Sequence, residues 1–139
     1  MSRVINPNPP GKERNRLKRA VALALREFSR ESEATDKARD LAAFIALSLE
    51  AIEETVDTAA VAWEKRGYWI KADRFRREWI WADRLGSEMR QAVLSNNWDQ
   101  VPGIAIELSQ HLGDVKVSER HRMGTPWVGS WGHLRRTKD

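Results

Sequence analysis

The longest regular pattern of apolar positions in the chain runs from about residue 35 to residue 66. Its apolar side chains recur every three or four residues, so on a helix they stay within roughly a quarter of the circumference. This apolar seam consists of Leu41, Ile45, Leu49, Ile52, Val56, Ala59 and Trp63. A second stripe beside it consists of Phe44, Leu47, Ala51 and Ala62. The pattern predicts one long helix, capped by Thr35, that packs against more than one neighbour.

Shorter apolar patterns with the same helical period lie on both sides of this segment. One predicts a first helix over about residues 12–31, and another predicts a third helix over about residues 69–94. The two apolar faces are Leu17, Val21, Ala24, Leu25 and Phe28, and Ala72, Phe75, Trp79, Ala82, Gly86, Met89 and Val93. The small side chains at Ala82 and Gly86 would let a neighbouring helix approach closely.

Glycines and a proline mark the ends of the predicted helices. Gly67 can take the left-handed conformation that ends a helix, which predicts a tight helical hairpin; a kinked continuous helix is the alternative. Asp99 and Pro102 predict the start of a fourth helix over about residues 100–112, and Gly113 predicts its end. The inward side of this helix would carry Val101, Ile104, Ala105, Leu108 and Leu112.

Neither end of the chain carries a sustained helical period. Residues 1–11 contain three prolines and are expected to form an extended arm. Residues 114–139 contain three glycines and a proline, and we expect a basic, tryptophan-containing tail that is extended or ordered only by contact. The chain is therefore predicted to be all-α, with an antiparallel bundle of about four helices, two of them long, over residues 12–113.

The fourth predicted helix is too short to cover the whole length of the two long ones. At 1.5 Å per residue the longest helix would span roughly 45 Å, and part of its apolar surface would remain uncovered. Either the tail packs on this surface or the chain associates with itself. The closed arrangement expected for self-association is a symmetric homodimer.

The composition and the missing motifs exclude several classes of site. The chain has 139 residues and no cysteine, which rules out a disulfide scaffold, a thiolate metal site and a cysteine nucleophile. It has no apolar run near the ~20 residues of a membrane span and no secretory signal segment, so we expect a cytoplasmic protein that does not bind membranes. Nucleotide-binding, zinc-protease and serine-hydrolase motifs are absent, as is the Glu-x-x-His pair of di-metal bundles. We therefore expect no enzyme activity, no cofactor and no metal site.

The net charge of +4 is distributed unevenly: residues 1–30 carry eight basic and two acidic side chains, and residues 31–60 carry two basic and eight acidic ones. Basic residues on the first helix fall within about 80° of one another, an arrangement that suits phosphate groups or an acidic partner. The candidate residues are Lys12, Arg16, Arg19, Arg26 and Arg30, together with Arg135 and Arg136 in the tail. The alternative is a solvated face whose charges pair with the acidic side of the long helix. That side carries Glu50, Glu53, Glu54, Asp57 and Glu64.

Tryptophan is unusually frequent, with seven copies against three phenylalanines and one tyrosine. Several aromatic and apolar residues fall outside the apolar seams and close to arginines, a combination enriched at protein interfaces. The predicted interface residues are Trp69, Ile70, Arg77, Trp81, Trp127 and Trp131. The alternative is that the tail or the first helix covers these residues, which would place them in the core. The histidines at positions 111, 121 and 133 are expected to be structural or solvated.

Two functions remain open from the sequence. The first is a non-catalytic interaction protein, an adaptor or assembly subunit that binds another protein or a second copy of itself through helix faces and the tryptophan-rich tail. The second is a nucleic-acid-binding protein without sequence preference, which would use the basic face of the first helix and the basic tail. No residue is a candidate for catalysis.

Overall fold

The computed structural model describes residues 9–137, and this part of the chain is helical with no β-strand. The six α-helices are α1 (Pro10–Phe28), α2 (Asp36–Lys65), α3 (Trp69–Glu78), α4 (Ile80–Leu94), α5 (Val101–His111) and α6 (Ser130–Arg136). A 3₁₀ turn over Trp98–Gln100 precedes α5. The all-α prediction is therefore confirmed, whereas the predicted number of about four helices is wrong.

Helix α2 is the central element, and α1, α3, α4 and α6 all pack on it. Its N-terminus is capped as predicted, because Thr35 Oγ1 accepts a hydrogen bond from the backbone N–H of Ala38 at 3.0 Å. Five residues of the predicted seam are buried, namely Leu41, Ile45, Leu49, Ile52 and Val56. The last two, Ala59 and Trp63, remain partly exposed near the end of the helix.

Helix α2 ends at the predicted hairpin, at which Gly67 has a φ of +86°. The N–H of Gly67 donates to the carbonyl of Glu64, and the N–H of Tyr68 donates to the carbonyl of Trp63, each at 2.9 Å. This pair of hydrogen bonds is the Schellman pattern, which needs a left-handed residue that glycine adopts without a steric cost. The hairpin prediction is confirmed, and the kinked continuous helix is not observed.

The third predicted helix is interrupted at Trp79, so the prediction of one continuous helix over residues 69–94 is wrong. Trp79 has φ −112° and ψ 8°, outside helical values. At the break the backbone makes two hydrogen bonds of the 3₁₀ type, which span three residues where those of an α-helix span four. The N–H of Trp79 donates to the Arg76 carbonyl (3.2 Å), and the N–H of Ala82 donates to the Trp79 carbonyl (3.0 Å). The Trp79 ring lies between the Phe75 and Trp81 rings, at centroid distances of 6.5 and 5.5 Å. No proline or glycine marks the break, which is accompanied by this aromatic packing.

Helices α2 and α4 approach closely at Gly86, as its small size predicted. A Cβ atom at this position would lie 3.0 Å from the Cβ of Leu49. Ala82, one turn earlier, is also fully buried. The glycine therefore sets the distance between the two helices.

The boundaries of α1 and α5 differ from the predicted ones. Helix α1 already begins at Pro10, inside the predicted arm, and residues 1–8 of that arm lie outside the described residues. Proline suits the first helical turn because its missing N–H would have no intrahelical acceptor there. Asp99 lies within the 3₁₀ turn and does not cap α5, whose N-cap is Gln100. Pro102 is consequently the second helical residue of α5.

The tail is more ordered than predicted, because Ser130–Arg136 forms α6 and packs on α2. Trp127, Ser130 and Leu134 are buried in the common core. Of the two ways to cover α2, packing of the tail is the one observed. Because the tail packs on α2, uncovered apolar surface on this helix is no longer an argument for self-association. The homodimer stays a prediction. Within residues 9–137, no helix is both long enough and apolar enough to cross a bilayer.

Candidate functional site

Three of the six exposed large apolar side chains in the described part of the chain are consecutive and lie at the tip of the α2–α3 hairpin. We call Tyr68, Trp69 and Ile70 the hairpin patch. Trp69 is 64% exposed and Ile70 is 77% exposed. Ile80, also exposed, lies farther along, at the start of α4. Three consecutive exposed apolar residues at the end of a helical hairpin are unusual for a surface that only meets water.

The hairpin that carries the patch has a packed aromatic base between its two helices. The rings of Trp63 in α2 and Phe75 in α3 meet edge to face, with centroids 5.0 Å apart. The Lys71 ammonium lies 4.4 Å from the centre of the Trp63 ring. Helix α3 directs Ala72 into the core, so Trp69 and Ile70 are left on its outer side. The patch is therefore presented on a hairpin whose own base is held by side-chain packing.

Basic residues surround the hairpin patch. The acids closest in sequence are occupied, since Glu64 pairs with Arg76 and Asp73 lies 3.1 Å from Arg77. Among the residues that the structure describes, four cations close to the patch in sequence form no ion pair, namely Lys65, Arg66, Lys71 and Arg74, and of these Lys71 lies over the Trp63 ring. The patch thus combines an apolar centre with a positively charged rim.

The structure places the predicted interface residues at three different locations. Trp69, Ile70 and Arg77 are exposed together on α3. Trp81 is half-buried, and its ring stacks on that of His111 in α5, with centroids 4.4 Å apart. The two tail residues belong elsewhere, because Trp127 is only 6% exposed and Trp131 is half-buried beside α2. Trp127 therefore lies in the core, which was the alternative to an interface position. It is no longer a candidate interface residue.

The predicted basic face of α1 is largely used for contacts within the chain. Arg16 binds Glu13 through two hydrogen bonds of 2.9 and 2.6 Å, and this contact raises the Arg16 pKa. Arg26 donates to the Val117 carbonyl at 2.8 Å, which ties the tail to α1. Arg30 pairs with Glu27 and lies 3.8 Å from Glu119. The remaining members, Lys12 and Arg19, are exposed.

The pairing partners of this face correct the sequence-based alternative. Its carboxylates come from α1 itself and from the tail, not from the acidic side of α2. The acids of α2 pair instead with α3 and α4: Glu50 contacts Arg90 at 2.6 Å, and Asp57 contacts Arg76 at 3.2 Å. The described residues contain no group of three His, Asp or Glu side chains placed to hold a metal ion.

Arg14, which was not among the basic candidate residues, contacts side chains of two other helices. Arg14 Nε donates to Thr55 Oγ1 at 3.1 Å, and its guanidinium lies 4.8 Å from the centre of the Phe75 ring. Burial lowers the pKa of the Arg14 guanidinium. Arg14 precedes Leu17 and Val21 at helical spacing, on the apolar side of α1. This spacing from Leu17 and Val21 was the feature of the sequence that indicated an inward position for Arg14.

A second candidate site is a cavity of about 700 Å³ beside α6. We call it the arginine pocket; it is lined by Arg39, Val93, Leu94, Asn96, Trp131, Gly132, Arg135 and Arg136. It unites Trp131, predicted for a protein interface, with Arg135 and Arg136, predicted for nucleic acid or an acidic partner. Arg39 was not among the candidates, because it lies in the acidic segment of the sequence. The chain matches no protein-family model, no curated protein and no solved structure.

Proposed function

We propose that this protein is a non-catalytic interaction protein, an adaptor or assembly subunit, that binds a partner protein through the hairpin patch. The observation that carries the proposal is the exposure of Trp69 and Ile70 on a hairpin with a packed aromatic base. Because that base is already ordered, binding would cost little conformational entropy in this protein.

The size of the apolar contact supports this proposal. Complete burial of a large apolar side chain contributes about 1.5–3 kcal/mol. Trp69 and Ile70 together would therefore contribute a few kcal/mol, as expected of the central residues of an interface. Tryptophan, tyrosine and arginine are also the residue types most enriched at such energetic centres.

The charge around the patch favours a partner other than a second copy of this chain. In a symmetric homodimer the same surface meets itself. The basic rim that includes Lys65, Arg66 and Arg74 would then face the basic rim of the second copy, and the like charges would repel. A partner with an apolar pocket and an acidic rim would satisfy both features. Light scattering across micromolar concentrations distinguishes a homodimer from a protein that binds a different partner. Homodimerisation through the patch requires that the molecular mass of wild type doubles and that the Trp69→Asp variant has the mass of a monomer.

Nucleic-acid binding is the second candidate function. It is supported by the exposed cations Lys12 and Arg19 on α1 and by Arg135 and Arg136 on α6. Because the other three arginines of the α1 face already contact the chain itself, fewer phosphate contacts are open to it than the sequence indicated. Binding of this kind should weaken steeply with salt and should fall in the Lys12→Glu/Arg19→Glu variant.

The experiment that tests the leading proposal is affinity capture with three forms of the protein. Wild type, the double variant Trp69→Asp/Ile70→Asp and the control Val128→Asp would be immobilised and exposed to extract from the native cells. Val128 is 70% exposed and lies in the tail, away from the hairpin. We expect one set of proteins to be retained by wild type and the control, to persist after nuclease treatment, and to be lost with the double variant. Equal retention by all three forms would contradict the proposal.

The proposal also includes expectations about the location of the protein in the cell, its mode of action and the arrangement of its helices. They are a cytoplasmic location, action without a cofactor or catalysis, and an antiparallel arrangement of the long helices. The last of these is supported by the short connections from α1 to α2 and from α2 to α3, because both pairs of consecutive helices pack on each other. Imaging of the tagged full chain in its native cells tests the location.

A further inference from the structure

The arginine pocket lies apart from the hairpin patch, at the junction of α2, α4 and α6. Its lining includes three arginines, from α2 and α6, and no carboxylate. A cavity of about 700 Å³ falls within the usual range for small-molecule sites. The pocket therefore has both the space for a small ligand and a single sign of charge.

Aromatic rings hold two of the three guanidinium groups. Those of Arg39 and Arg135 lie 5.1 and 4.8 Å from the centre of the Trp131 ring. Arg39 also lies 5.7 Å from the Trp98 ring. A guanidinium placed over a ring keeps its N–H groups available at its edge, because the ring occupies a face and accepts no in-plane hydrogen bond. The pocket thus orients its charges and leaves donors open.

The acids near the pocket neutralise it only weakly. Asp36 lies 3.4 Å from Arg39, but its side chain is 93% exposed, so this ion pair is worth little. Asp40 is engaged by two backbone N–H groups of the α6 segment. Glu50 pairs with Arg90. Arg135 and Arg136 form no ion pair with any residue between 9 and 137.

Asn96 adds an uncharged donor to the same cavity. This residue lies two positions after the end of α4 and has the left-handed conformation, with a φ of +58°. Its Oδ1 accepts a hydrogen bond from the indole N–H of Trp98. Because an indole nitrogen can only donate, the amide oxygen must face Trp98, and the amide NH₂ group is left to donate elsewhere. The pocket is therefore rich in donors and poor in acceptors.

We infer that the arginine pocket binds a small organic phosphomonoester, with its phosphate held by Arg39, Arg135 and Arg136. A phosphomonoester carries a charge of about −1.5 to −2 and three terminal oxygens at neutral pH. It matches three guanidinium groups better than a carboxylate, which offers one charge and two oxygens. Leu94, which is partly exposed on the pocket wall, provides an apolar surface for the organic part.

Calorimetric titration of the full chain tests this inference with four probes: inorganic phosphate, phenyl phosphate, benzoate and a single-stranded oligonucleotide without a terminal phosphate. We expect phenyl phosphate to bind more tightly than inorganic phosphate, and benzoate and the oligonucleotide to bind at least tenfold more weakly than phenyl phosphate. The Arg135→Gln/Arg136→Gln variant should lose at least tenfold in affinity for phenyl phosphate. The matched control Arg120→Gln/Arg122→Gln removes the same charge from exposed tail positions and should bind as wild type does.

Each other result overturns a stated part of the inference. Equal losses in the two double variants would show that only net charge matters. Equal affinity for both phosphates would identify the free ion, not an organic ester, as the ligand. Tight binding of the oligonucleotide that disappears in Arg135→Gln/Arg136→Gln would assign the pocket to a nucleic-acid backbone. Both altered side chains are exposed, and circular dichroism verifies that α6 is retained.

Discussion

The carboxylate of Asp40 in α2 caps the last helix of the chain by accepting a hydrogen bond from the backbone N–H of Trp131 at 2.9 Å. Its second oxygen accepts another from the N–H of Gly129 at 3.1 Å. The first N–H groups of a helix have no intrahelical acceptor, and a negative charge at this end is favourable. One residue of the central helix therefore holds α6 in place and, with it, one side of the arginine pocket.

Replacement of Asp40 by alanine should destabilise α6 and the whole protein. The lost cap is expected to cost about 1–2 kcal/mol, because two N–H groups lose a charged acceptor. Urea denaturation measures the loss, and hydrogen exchange should accelerate at the amides of Gly129 and Trp131. The control Glu54→Ala removes an exposed carboxylate from the same helix and should change the free energy of unfolding by less than about 0.5 kcal/mol. An Asp40→Ala protein as stable as this control would show that the cap is unimportant.

Substitution of Gly86 by alanine should destabilise the contact between α2 and α4. The new methyl group would lie 3.0 Å from the Leu49 Cβ, which is too near the backbone to rotate away. The cost of overpacking, about 1–3 kcal/mol, should exceed the gain of up to about 1 kcal/mol from removing a helical glycine. Thermal unfolding measures whether Gly86→Ala lowers the stability of the protein, as we expect, or raises it.

Gly103 in α5 is the matched control for that experiment. A Cβ added there would meet no atom within 4 Å. Gly103→Ala should therefore show only the gain in helix propensity, up to about 1 kcal/mol. If both alanine variants were stabilised equally, the close approach of α2 and α4 at Gly86 would be refuted.

Glu53 should make the stability of the protein depend on pH. Burial raises the pKa of its carboxyl above the ordinary value of 4.5, and the negative charges of Asp83 and Asp57 raise it further, against a smaller opposing effect of Arg76. The folded state therefore holds this proton to a higher pH than the unfolded state does. The associated stability is fully present below pH 4.5 and is lost as the pH rises through the pKa of the folded state.

The variant Glu53→Gln tests this dependence. It should be more stable than wild type at pH 7, by less than about 1 kcal/mol because the side chain is partly exposed. The difference should shrink below pH 4.5, where the wild-type carboxyl is protonated in both states. Urea denaturation at several pH values measures it, with Glu54→Gln as the exposed control. A difference that does not change with pH would be at odds with a raised pKa.

The sequence predicted α2 well because its burial follows one helical register. Leu41, Ile45, Leu49 and Ile52 repeat at helical spacing, and the Schellman turn at Gly67 depends on a residue type that is visible in the sequence. The break at Trp79 was not predictable in the same way. It contains no proline or glycine and coincides with contacts of the Trp79 ring that only the folded chain brings together.

Helix α6 and the arginine pocket were missed for a related reason. A segment of seven residues is too short to form a stable helix alone. It is held by Asp40 and by burial of Leu134, and both contacts are distant in sequence. Arg39 likewise comes from an acidic segment of the sequence. It lies near Arg135 in the fold because both guanidinium groups contact the ring of Trp131. Sequence periodicity reports local burial, whereas these features depend on which elements become neighbours.

The most direct measurement of the central claim is site-specific photo-cross-linking in the native cells. A photoreactive phenylalanine analogue would replace Trp69 in one form of the protein and Val128 in another. If the hairpin patch binds a partner protein, the probe at position 69 forms a discrete cross-linked species that persists after nuclease treatment, and the probe at position 128 does not. A chain that remains free of cross-links at position 69, or that is cross-linked equally at both positions, contradicts the account.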